Sequence, residues 1–89
     1  MIVILFKNPV ELEHFLRQGF FPGPRCTVYD AHRRVDIAGE GGFTSVKLLV
    51  AHDRDEVVHQ LRGQPVDLIM NFSPLHWEDM RDHLNALLK

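Results

Sequence analysis

Residues Ile2-Val3-Ile4-Leu5-Phe6 are apolar without interruption and rich in β-branched side chains, the pattern of a strand buried on both faces. Whatever sheet contains this strand must be covered on both sides. The next residues supply a helix. Asn8 can cap it, Pro9 suits its first position, and Glu11 completes a capping box ahead of the apolar stripe Leu12, Phe15 and Leu16. Gly19 can end it in the left-handed conformation, and Phe20-Phe21-Pro22-Gly23-Pro24 reads as a rigid connection.

Cys26-Thr27-Val28-Tyr29 and Val35-Asp36-Ile37 read as a hairpin around the polar stretch 30–34. The loop Gly39-Glu40-Gly41-Gly42 separates it from a strand over 46–51, with Val46, Leu48 and Val50 on one face. Asp53-Arg54-Asp55-Glu56 forms a second capping box for a short helix lined by Val57, Val58 and Leu61 and stopped by Gly63. Residues 66–72 alternate as a strand. Ser73-Pro74 then starts a last helix whose apolar side is Trp77, Met80, Leu84, Leu87 and Leu88. The order β-α-β-β-(β)-α-β-α fits one compact α+β domain over residues 1–89, a ferredoxin-like βαββαβ sheet with an additional C-terminal helix. A three-layer α/β fold is the alternative.

Composition agrees with a folded domain. Of 89 residues 45% are hydrophobic and 25% charged, and the single cysteine rules out an intrachain disulfide or a Cys-based zinc site. One cysteine suits a reducing cytoplasm, which is the expected location. The run Met1–Phe6 is too short to span a bilayer and has no basic region before it, so neither signal peptide nor membrane anchor is expected. The net charge is −2. Without a basic surplus to neutralise phosphate, nucleic acid is not an expected partner.

A ferredoxin-like sheet carries both crossover helices on one face. Val3, Leu5, Leu49 and Ile69 would then share the other face, needing cover from the C-terminal helix through Trp77 or from a second subunit. A homodimer with Val3, Leu5, Leu49, Ile69 and Trp77 at its interface is therefore expected.

Candidate chemistry is sparse, and no cofactor is expected. His76, Asp79 and His83 fall on one side of the last helix, with ligand types that suit a first-row metal. They equally flank its apolar stripe, and no further ligand is evident, so no metal site is expected from them. His52 sits where a strand passes into a helix, the place where α/β sheets bind ligands. Paired with Asp30 or Asp36 it could transfer protons. Cys26, alternating with Val28, reads as a core residue and not as a thiol nucleophile. The glycine loop lacks any phosphate-binding fingerprint.

Over residues 9–72 the order helix, three strands, helix, strand resembles the core of restriction-endonuclease-like enzymes. The resemblance implies a divalent-metal site near Asp36 and Lys47, but Ser45 stands where a carboxylate is needed. Three readings follow. The first is a small non-catalytic binding or regulatory module for a partner protein or small ligand. The second is a small isomerase or hydrolase with a His–carboxylate pair in a cleft. The third is a degenerate endonuclease-like domain.

Overall fold

A computed structural model describes residues 1–18, 26–38 and 44–87. Residues 19–25, 39–43 and 88–89, and with them Gly19, the connection over 20–24, the glycine loop over 39–42 and Leu88, lie outside the described residues. The elements run in the order β1 (Ile2–Phe6), α1 (Pro9–Arg17), β2 (Cys26–Asp30), β3 (Val35–Ala38), β4 (Thr44–Val50), α2 (Arg54–Gln60) and β5 (Leu68–Asn71). A 3-10 turn, Pro74–His76, then leads into α3 (Trp77–Leu87). In class the fold is α+β, a five-strand mixed sheet with three helices.

Both helix starts follow the local rules. Asn8 Oδ1 accepts the Glu11 N–H at 2.9 Å, and Asp53 Oδ1 accepts the Glu56 N–H at 2.9 Å. Each glutamate reaches back in turn, Glu11 Oε1 to the Lys7 N–H at 2.9 Å and Glu56 Oε2 to the His52 N–H at 2.8 Å. Residues 7 and 52 therefore occupy equivalent positions at two β–α joints. Past α2, Gly63 adopts φ +76°, a left-handed conformation that other residues enter at a steric cost.

The sheet runs β3-β2-β4-β1-β5 with β2, β4, β1 and β5 mutually parallel, which is not a ferredoxin-like arrangement. In that fold the second crossover begins on a strand antiparallel to the first, and both helices land on one face. Here β3 adds one reversal, so β4 arrives parallel to β2 and β1. The β1–β2 crossover passes over β4 in one direction, and the β4–β5 crossover passes over β1 in the other. Right-handed connections between parallel strands then put the helices on opposite faces. Packing follows. Leu12 and Phe15 of α1 bury Ile2, Ile4, Phe6, Val46 and Leu48, whereas Val57 of α2 and Leu61 at its C-cap bury Val3, Leu49 and Ala51.

This corrects the expectation that the first two helices share a face. At Val3 and Leu49 the second face is covered by α2, not by the C-terminal helix. Trp77 and Leu84 of α3 instead join the α1 side. There Phe15 touches Trp77 edge-on at 5.0 Å between ring centroids and Phe6 at 5.3 Å, and Phe72 closes the ring cluster.

β1 is interior, with β4 on one edge and β5 on the other. Val3, Ile4 and Phe6 are wholly buried. An Ile4→Ala substitution should cost roughly 2–5 kcal/mol in urea unfolding, because its cavity lies between closely packed layers. A loss below about 1 kcal/mol would show that β1 is peripheral.

Candidate functional site

At the carboxyl ends of β1 and β4 the chain leaves in opposite directions toward opposite faces. A divergence of this kind opens a crevice, the usual ligand position in parallel sheets. The Ala51 N–H donates to the Phe6 carbonyl at 3.0 Å, which fixes the two joints side by side. A cleft of about 400 Å³ lies there on the α2 side. Leu5, Ala51, Val57 and Ile69 form its apolar part, and Lys7, His52, Asp53, Arg54 and Asn71 its polar part.

Each joint contributes through its place in the register. Leu5 sits opposite Leu49 and Asn71, so Leu5 and Asn71 share the α2-facing side of β1 and β5. The short α2 reaches over β4 and β1 but leaves Ile69 of β5 45% exposed. Among the described residues neither Lys7 nor Arg54 has a carboxylate partner for its side chain. Asp53 does have one engagement, since its Oδ1 holds the Glu56 amide.

The sequence-derived residues fare differently. His52 lies in this cleft. Asp30 is fully buried on the α1 side, its Oδ1 accepting the N–H groups of His32 at 2.9 Å and Arg33 at 3.0 Å. Its Oδ2 has no hydrogen-bond donor among the described residues; the Arg33 Nε stands 3.8 Å away, and the Arg33 guanidinium also bonds Glu13 of α1. Asp30 thus shapes the β2–β3 turn, where Arg34 takes φ 58°, and does not meet His52. Asp36 is exposed on edge strand β3, opposite Tyr29, which is opposite Lys47. With about 3.3 Å per residue along a strand and about 4.8 Å between strands, its Cα lies on the order of 15–20 Å from that of His52. Neither carboxylate is brought to the imidazole.

Asp36 and Lys47 share a face but are separated by Tyr29, roughly 10 Å apart across two strand spacings. Lys47 donates to Gln64 Oε1 at 3.4 Å, and Ser45 is exposed. His76, Asp79 and His83 are exposed on the 3-10 turn and α3. His76 and Asp79 border a second depression of about 320 Å³ with His14 and Trp77, and His83 does not line it. Among the described residues no three His, Cys, Asp or Glu side chains are grouped to hold a metal ion. Of the residues expected at an interface, Val3, Leu49 and Trp77 are buried within the chain, Leu5 is half-buried and Ile69 is exposed.

Lys7, Arg54 and Asn71 complete the cleft without having been singled out in the sequence, and Ile69, expected at a subunit interface, lines it as well. Lys7 alone carries a positional signal, preceding the Asn8 cap as His52 precedes the Asp53 cap. No family model matches this chain, and neither a curated protein nor a solved structure proves similar to it. No helix among the described residues is long and apolar enough to cross a membrane.

Asp30→Ala should destabilise by about 1–3 kcal/mol in chemical denaturation, since two turn amides lose their acceptor. Asp30→Asn should cost less, because its amide oxygen can keep both bonds. Lys7→Ala and Arg54→Ala should each change stability by no more than about 0.5 kcal/mol. A larger loss would place either cation in the structural framework and not at the rim of a site.

Proposed function

We propose that this chain is a non-catalytic binding module that takes a small ligand in the cleft between the β1–α1 and β4–α2 joints. The observation that carries this reading is a concave site at the divergence of two parallel strands, with an apolar floor and a few converging polar groups. Ligand sites of small-molecule binders have this make-up.

Catalysis has less support. The described lining of the cleft includes no Ser, Thr, Cys or Tyr, and its one carboxylate, Asp53, caps a helix. Among the described residues His52 makes no side-chain hydrogen bond to a carboxylate, so the pair that proton transfer needs is not assembled. A small ligand is also favoured over a second subunit. Of the apolar residues expected on an open face, only Leu5 and Ile69 keep exposure, and both line the cleft.

Methyl-resolved NMR with a library of small aromatic fragments tests the reading. Fragments should shift the Leu5, Ala51 and Ile69 methyl signals together, and Ile69→Trp, which fills the cleft from an exposed position, should abolish the Leu5 and Ala51 shifts. Shifts clustered around Trp77 and His14, or none at any concentration short of aggregation, would overturn it. Light scattering over a dilution series reads the other occupant: a dimer dissociating as the Ile69 signal moves would assign this surface to a second copy.

A further inference from the structure

We infer that the ligand of this cleft is a small organic anion, an aromatic or aliphatic body carrying one carboxylate, sulfonate or phosphate group. The inference rests on the cleft being the binding site and adds the charge and shape of what enters it. Two cations, Lys7 and Arg54, stand on its lining against one carboxylate, Asp53. The two cations come from different β–α joints, and neither is neutralised by an acid among the described residues. The nearest glutamates of both joints are turned to backbone amides, Glu11 to that of Lys7 and Glu56 to that of His52. The carboxylates thus close the helix starts while the ammonium and guanidinium groups stay available.

Below that basic rim the cleft is apolar. Leu5 and Ile69 lie on neighbouring strands of the α2-facing side, with the Val57 side chain of α2 beside them. A purely ionic ligand would leave this surface wet, and a purely apolar one would leave two cations unmatched. An amphipathic anion satisfies both, its charged group accepting charge-assisted hydrogen bonds from Lys7 and Arg54 and its body covering Leu5 and Ile69. Asn71 supplies a neutral amide on the β5 side for a further polar substituent.

Two fluorescent probes that share one scaffold separate the charge from the apolar body. 8-Anilinonaphthalene-1-sulfonate carries the anion, and N-phenyl-1-naphthylamine lacks it. Titrations of the wild-type chain at low salt, followed by fluorescence and by the Leu5 and Ile69 methyl signals, should give tighter binding of the sulfonate. The Lys7→Ala/Arg54→Ala double variant should weaken the sulfonate about five- to tenfold and the neutral probe less than about twofold. Raising salt should reproduce part of that loss. Equal affinities at the cleft methyls, unchanged in the double variant, would overturn the anion inference and leave the cleft standing as the binding site. If neither probe moves those methyls, or if Ile69→Trp leaves both affinities intact, the cleft itself is not the site and both readings fall. Circular dichroism of each variant confirms that the fold is retained before its affinity is compared.

Discussion

The parallel pairing of β1 with β4 is the constraint on which the rest of the structure depends. It places Ile4 against Leu48 on one face and Leu5 against Leu49 on the other. With β5 on the far edge, β1 has no free edge and both faces are apolar, so two layers must cover it. α1 and α3 supply one layer and α2 the other. Right-handed connections leave this as the natural outcome once β4 is parallel. The same divergence creates the cleft, so the site is a by-product of how the core is closed.

Much of the local structure is legible in the amino-acid order. Asn8 with Glu11 and Asp53 with Glu56 mark helix starts through bonds spanning a few residues, and those bonds are present. The apolar run of β1 foretells burial on both sides. Strand direction is another matter. It depends on the number of reversals between Tyr29 and Val46, and the stretch 35–46 can be divided into strands in more than one way. Counting β3 and β4 as separate reversals turns one sheet direction around and moves α2 to the opposite face. Trp77 illustrates the same limit: its position on an apolar helix face requires burial but does not name the face of the sheet that receives it.

The candidate site divides in the same way. His52 is legible because a residue just past a strand and before a helix cap lies at the carboxyl edge of the sheet. Lys7 obeys the same rule, yet it stands out only when β1 and β4 are known to be neighbours. Asp30 looks like a proton-transfer partner in the sequence because carboxylates near histidines suggest chemistry. In the fold its two bonds to the turn amides give it a structural task, and the sheet lies between it and His52.

The position of β1 within the sheet also bears on how the chain reaches its native state. Ile2 finds its neighbours in Val46 and Leu68, both far along the sequence. During synthesis the most hydrophobic strand therefore precedes both its partners and is the last of the five to be paired on both sides it needs. Pairings this distant are entropically slow to form, and the apolar segment stays accessible meanwhile. The α1 stripe, only a few residues away, offers it local shelter, with Phe15 packed against Phe6. The strand that organises the finished molecule is thus also its principal aggregation hazard while the chain is still being made.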